Sequence, residues 1–269
     1  MDEYRGADYL NKRLIPILNN ITRRKLSISE DESSISNEND EYIISIQEEC
    51  KFYMVSYNAM APKNGESQIG DSYTFGNTKD GCYMTILSDG MGFGPEAGKE
   101  SKATVDLVER FIEAGFDENI TINTVNSIMG MRFAEDEKYA TLDLNKVDLY
   151  SGDAAFVKIG AAPTFIKRGN EVKSINSKNL PFGLVDEVDV EVIKEELQAG
   201  DIIVSVSDGV LDIDKSNVEE KTWLENYLGN INADPRDLSE KILDKAKELS
   251  GGRVKDDMTV VVSKIYLAN

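Results

Sequence analysis

Histidine is absent from the 269-residue chain. That absence excludes Ser-His-Asp triads, histidine phosphotransfer and zinc sites built on imidazole. Cysteine is almost absent. Cys50 and Cys82 lie far apart in strand-like runs, so no disulfide is expected and a reducing compartment fits. Neither cysteine has an arginine six residues later, which the loop of a cysteine phosphatase requires. Long apolar runs are missing too: no stretch of 18 apolar residues occurs, and no signal peptide opens the chain. The expected location is cytoplasmic, either free or as the cytoplasmic part of a membrane-anchored protein. Positive charge is scarce, with 30 Lys and Arg against 49 Asp and Glu, a formal net charge of −19. This balance argues against nucleic acid or an anionic membrane as partner. It serves solubility. It also means that a protein of this charge acting on an acidic substrate needs a local positive centre, which bound metal ions supply.

What is present is ample for a core, with hydrophobic residues making up 41% of the chain. Residues 4–24 carry Leu10, Leu14, Ile17, Leu18 and Ile21 at helical spacing, with Pro16 set to kink or divide the helix. Residues 27–41 are polar, acidic and aperiodic, which predicts a flexible linker. Residues 1–26 thus form a separate helical element and 42–269 the main domain. Within that domain YIISIQ, FYMVSYNA and YMTILS read as strands. Helices are expected from Pro95 to Ala114 and from Thr121 to Phe133, followed by a run of short strands. A buried strand, Asp201–Ser207, then precedes helices near 215–228 and 235–249 and a last strand at TVVVSKIYL. Strands come in antiparallel-compatible groups and helices in pairs. The pattern predicts an α+β fold of two packed, mainly antiparallel sheets with helices outside.

Four aspartate motifs share one setting, the end of a strand: Asp71 in IGDSY, Asp89 in MTILSDGMG, Asp208 in IIVSVSDGV, and Asp256 with Asp257 in VKDDMTVVV. Strand ends can aim side chains from a rigid scaffold into one cleft. Carboxylates brought together repel unless a proton or cation intervenes, and hard divalent cations such as Mg²⁺ or Mn²⁺ suit oxygen ligands. One Asp-Gly pair is an ordinary turn. Here two such pairs each follow a serine and an apolar strand. Gly90 also leaves room for its carbonyl to approach a metal. Other readings of the Asp89 segment fail. Gly92, Gly94 and Ala97 match the dinucleotide pattern only formally, because Pro95 interrupts the turn. Gly98-Lys99 is followed by Glu100, so there is no phosphate-binding Walker loop, and residues 212–223 lack the glycine and closing glutamate of a calcium loop.

In order, GDSY, SDGMG-x-G, TLDL, VKIGAAPTFIKRG, NLPFGL, SDG and DDMTVVV resemble the metal-dependent serine/threonine phosphatases of the protein phosphatase 2C type. More narrowly, they resemble the phosphatase domains of the stage II sporulation protein E family, over about Tyr42–Tyr266. The resemblance implies an α-β-β-α sandwich with a centre of two Mn²⁺ or Mg²⁺ ions between the sheets. It implies that Asp89 bridges both metals with the Gly90 carbonyl on one, that Asp208 and Asp256 bind the second, and that Asp71 contributes. Asp256 is preferred to Asp257 because the first aspartate of that motif is the family's ligand. Asp89, Asp208 and Asp256 are then the catalytic residues. The implied substrate is a phosphoserine on an anti-anti-sigma factor, whose dephosphorylation activates a sporulation sigma factor; a second copy of the chain is a further possible partner. Family members carry a multi-span membrane region that this sequence lacks. Residues 4–24 are expected to pack near the helix pair at 96–133 and to set metal occupancy. The competing expectation is a catalytically weak scaffold that binds the phosphoprotein.

Overall fold

The computed structural model describes residues 9–28, 35–38, 41–92, 94–133, 139–185, 188–213 and 222–268. The chain divides into two compact units, residues 1–51 and 52–269.

In the first unit a π-helical turn, Leu10–Leu14, runs into helix α1, Ile15–Thr22. The backbone stays helical through Leu14 and Ile15, and Pro16, which has no N–H to donate, sits where the π-helical turn passes into α1. The expected kink or division at Pro16 thus takes the form of a change in hydrogen-bonding pattern. Arg23, in the left-handed conformation at φ 55°, ends α1. Residues 4–8 of the expected helix lie outside the described residues. Strand β1, Leu26–Ile28, pairs antiparallel with β4, Ile46–Glu48, and β2, Ile35–Glu38, pairs with β3, Glu41–Ile44. The expected linker at 27–41 thus contains strand segments, and the boundary of the large unit falls after Lys51 rather than at Tyr42. Leu26, Ser27 and Ile28 alternate apolar and polar, a two-residue period that the surrounding charge obscured.

The second unit holds two five-stranded sheets. The first has the order β11–β10–β13–β14–β5, formed by Glu171–Ile175, Thr164–Arg168, Ile202–Val206, Met258–Leu267 and Phe52–Ala61. The second has the order β12–β9–β8–β7–β6, formed by Val192–Glu196, Asp153–Ile159, Leu142–Asp148, Cys82–Asp89 and Asp71–Asn77. Every strand pairing within them is antiparallel. Helices α2, Gly94–Glu113, and α3, Glu118–Phe133, belong with the second sheet. The short α4, Asp208–Leu211, and helices α5, Trp223–Asn230, and α6, Pro235–Leu249, belong with the first.

Each sheet makes a dry core with its own helices. Val204, Val260 and Val262 of the first sheet meet Leu238 and Ile242 of α6, all fully buried. Ile86, Leu144 and Val157 of the second meet Val108, Ile122 and Val125 of α2 and α3. Such side chains contribute about 1.5–3 kcal/mol each on burial. The faces between the sheets carry hydrogen-bonding groups as well. Tyr83 Oη donates to Ser56 Oγ at 2.8 Å, Ser56 and Ser263 hydroxyls meet at 2.6 Å, and Asn145 Nδ2 donates to Ser205 Oγ at 2.8 Å. The architecture is the expected α-β-β-α sandwich. Among the described residues no helix is long and apolar enough to cross a membrane.

Candidate metal centre

Asp71 opens β6 and Asp89 closes β7, and the antiparallel register sets the two directly opposite each other. The backbone of Asp89 is held from β8's leading edge: its N–H donates to Thr141 Oγ1 at 2.9 Å, and its carbonyl accepts from Thr141 N–H at 2.8 Å. Ser88 Oγ completes the clamp, donating to the Thr141 carbonyl at 2.7 Å. Asp208 is the first residue of α4, directly after β13. Its predecessor Ser207 exchanges bonds with Thr259, Ser207 N–H to the Thr259 carbonyl at 3.0 Å and Thr259 N–H to Ser207 Oγ at 2.9 Å. Two aspartates thus come from the second sheet, and Asp208 with the Asp256–Asp257 pair from the first.

Both Asp-Gly glycines are dictated by close backbone approach. A Cβ on Gly90 would lie 2.1 Å from the Ala97 carbonyl oxygen in α2, and one on Gly209 would lie 2.1 Å from the Asp257 carbonyl oxygen. The glycines let α2 seat against the Asp89 strand end, and α4 against the Asp256–Asp257 turn.

The adjacent aspartates 256 and 257 differ sharply. Asp257 is buried, and its two oxygens accept backbone N–H groups of Lys63 at 2.8 Å and Gly70 at 2.6 Å. It ties down the 62–70 loop. Asp256 is half-buried, and its Oδ1 accepts from the neighbouring Asp257 N–H at 3.0 Å.

Electrostatics unite the remaining four. Burial raises Asp71 to about 6, against the smaller opposing influence of the nearby Thr259 and Ser207 hydroxyls. Among the described residues neither of its buried carboxylate oxygens has a hydrogen bond of ordinary geometry. Burial, then the charges of Asp71 and Asp208, push Asp89 up to about 10, with Asp256 adding to the effect. Asp208 is raised as well, by the protein atoms around its carboxyl and by Asp256 and Asp212, although much of its surface is exposed. A buried carboxylate with two unsatisfied oxygens is a costly arrangement that a proton or a cation relieves. The oxygen donors that these aspartates offer are carboxylates, which suit hard cations such as Mg²⁺ and Mn²⁺. Among the described residues, no three Asp, Glu or Cys side chains stand as a ready-made cation cage. The four aspartates are therefore linked by charge rather than by closed coordination.

The cleft between the sheet ends is lined by Asp89, Thr141, Asp143, Gly160, Ser207 and Asp208, and its volume is about 20 Å³. That is room for one or two water-sized species. Asp143, Thr141 and Ser207 were not among the expected site residues. Asp143 was legible only as a charged residue inside the apolar run LDL.

The family model of stage II sporulation protein E matches residues 79–266. Stage II sporulation protein E of Bacillus subtilis is 39% identical over 217 residues, 80% of this chain and 26% of that protein. The Priestia megaterium protein of the same name is 37% identical over 80% of this chain and 37% of its own length. The chain therefore spans about a quarter to a third of these relatives. A solved structure of the PP2C phosphatase domain and a fragment of the regulatory domain of B. subtilis SpoIIE superimposes with a TM-score of 0.82. It is 33% identical and covers 96% of this chain and 75% of that one. RsbX in complex with magnesium, 19% identical with a TM-score of 0.59 over 89% of this chain and 99% of that one, shares the fold. On the family match and the identity, the chain belongs to the stage II sporulation protein E family and has its PP2C-type phosphatase fold.

Proposed function

We propose that this chain is a metal-dependent protein serine/threonine phosphatase, that its cations are two Mn²⁺ or Mg²⁺ ions, and that its substrate is a phosphoserine on an anti-anti-sigma factor. The observation that carries the reading is the Asp71–Asp89 pair, a buried carboxylate with two orphaned oxygens facing a second carboxylate raised by its neighbours. In this reading Asp89 and the Gly90 carbonyl would hold cation from the second sheet, with Asp71 supporting from the adjacent strand, and Asp208 and Asp256 would hold it from the first sheet. Bound divalent cations supply a more acidic water and positive charge to set against phosphoryl oxygens. The chain's own residues do the rest. The Thr141 and Ser88 bonds fix the backbone that aims Asp89, and the Ser207–Thr259 exchange fixes the one that aims Asp208. Asp257 anchors the 62–70 loop beside the site, leaving Asp256 as the ligand of that pair. No histidine exists to act as nucleophile or to protonate a leaving group, so in-line attack by water without a covalent enzyme intermediate suits the residue set. Membership of the stage II sporulation protein E family supports the choice of substrate class.

The test is release of phosphate from a phosphoserine protein with Mn²⁺, with and without chelator. Parent protein is expected to be active and chelator-sensitive, and Asp89→Asn to lose at least about 10²-fold in rate. Phosphoprotein binding without turnover would identify a scaffold instead.

A further inference from the structure

A charged cluster lies between the sheets, immediately inside the cleft. Asp143 of β8 and Lys158 of β9 are cross-strand partners in the second sheet, with the Lys158 ammonium 2.8 Å from Asp143 Oδ1. Both side chains are out of solvent, at 0% exposure for Lys158 and 1% for Asp143. The third member comes from the first sheet. Thr164 of β10 is fully buried, accepts from Lys158 Nζ at 2.8 Å and donates to Asp143 Oδ2 at 2.5 Å. A buried ion pair of this kind is weak evidence for stability, because desolvation of both charges opposes their attraction. Its presence calls for another reason, and its connections supply one.

On one side the cluster leads to Asp89. Asp143 is two residues from Thr141, whose N–H and hydroxyl hold the Asp89 backbone. On the other side it leads to Asp208. Thr164 is registered opposite Ser205 of β13, and their hydroxyls lie 3.5 Å apart; Ser205 is followed by Val206, Ser207 and Asp208. Gly160, Ala161 and Ala162, which join β9 to β10 and so cross from one sheet to the other, line the same cleft as Asp89, Asp143 and Asp208.

We propose that Asp143, Lys158 and Thr164 are positioning residues: an inter-sheet staple that sets the separation between the Asp71–Asp89 pair and the Asp208–Asp256 side, and thereby the affinity for divalent cation. The proposal rests on the metal-dependent reading of the site. None of the three residues is required to touch the metal or the substrate. They act through Thr141 and β13, as outer groups that orient ligands do in metal sites. A purely structural ion pair would be replaceable without consequence for the cation.

The experiment measures Mn²⁺ binding by titration calorimetry alongside melting in chelator. The double variant Asp143→Leu/Lys158→Met removes both charges at once, so no uncompensated charge is left buried and the net charge is unchanged. It is expected to melt within a few degrees of the parent in chelator yet bind Mn²⁺ about tenfold or more weakly. Thr164→Val, which keeps the ion pair and removes the two hydrogen bonds by which the Thr164 hydroxyl joins it to the first sheet, is expected to weaken Mn²⁺ binding several-fold, and Thr164→Ser to restore it. Parent-like Mn²⁺ affinity in a folded double variant overturns the staple while leaving the phosphatase reading intact. If the double variant does not fold, Thr164→Val decides, and unchanged affinity there overturns the staple. A parent protein that binds no Mn²⁺ overturns the metal-dependent reading and the staple with it.

Discussion

Asp71 and Asp89 hold more protons in the folded protein than in the unfolded chain, because burial raises both, with the charge of Asp257 adding to it at Asp71 and the charges of Asp71 and Asp208 at Asp89. The sign follows directly. Stability due to a raised carboxyl is complete below its unfolded value, 3.8, and is lost as pH climbs through its folded value, about 6 for Asp71. For Asp71 alone the loss is about 3 kcal/mol. In chelator, melting temperature is therefore expected to fall between pH 5 and pH 8, the loss continuing upward as Asp89 is deprived of its proton. Mn²⁺ should reverse the trend, because cation binding replaces proton binding. Asp89→Asn should melt higher than the parent in chelator at pH 8 and should gain less from Mn²⁺. A chelated parent whose melting temperature is flat across this range would contradict the burial argument. These aspartates were legible in the sequence because each follows or begins a strand beside glycine or serine. The difference between Asp256 and Asp257 was not legible from spacing. It arises from backbone N–H groups of Lys63 and Gly70, nearly two hundred residues away.

The elements of the sandwich respond to glycine substitution in opposite ways, and contact distances decide the direction. Gly209→Ala puts a methyl against the Asp257 carbonyl, backbone against backbone, with no flexible side chain to yield. A loss of about 1–3 kcal/mol is expected on denaturant unfolding, together with weaker Mn²⁺ binding as α4 and Asp208 are pushed away. Gly130 lies inside α3 with ordinary backbone geometry and nothing within 4 Å of an added Cβ. There alanine should stabilise by about 0.5–1 kcal/mol and leave Mn²⁺ binding unchanged. Helix α6 was readable to the residue, because Asp234 and Pro235 signal its start and its apolar face is regular. Strand β6 was not recognised, since Gly76 and Asn77 resemble a turn and only pairing with β7 makes Asp71–Asn77 extended. The helix expected at 215–228 is described only from Trp223, where the Thr222–Glu225 capping box fixes its start. The two-sheet arrangement followed from strand grouping. The polar layer between the sheets did not, because alternation along a strand marks two faces without telling which one meets another sheet.

At the scale of the whole molecule, residues 52–269 contain both apolar cores and every aspartate of the cleft, while residues 1–51 form a unit of their own. The division has a consequence for metal use. The net charge of −19 and the mutual influence of Asp71, Asp89, Asp208 and Asp256 favour cation binding, and the strength of that binding depends on how the strand ends set these carboxylates relative to one another. Residues 4–24, apolar at helical spacing, are expected to control metal occupancy at the site. If that role is real, the shortened chain 52–269 should unfold cooperatively and bind Mn²⁺, yet reach half-maximal phosphatase activity at a different Mn²⁺ concentration from the full chain. A shift of about fivefold or more corresponds to about 1 kcal/mol of coupling between the first unit and the site. Superimposable Mn²⁺ curves, measured on the same phosphoserine protein, would reduce residues 1–51 to a passive appendage. Loss of cooperative unfolding in the shortened chain would show instead that the first unit supports the fold. The three outcomes separate control, independence and structural support, because stability is read in chelator and the cation requirement in its absence.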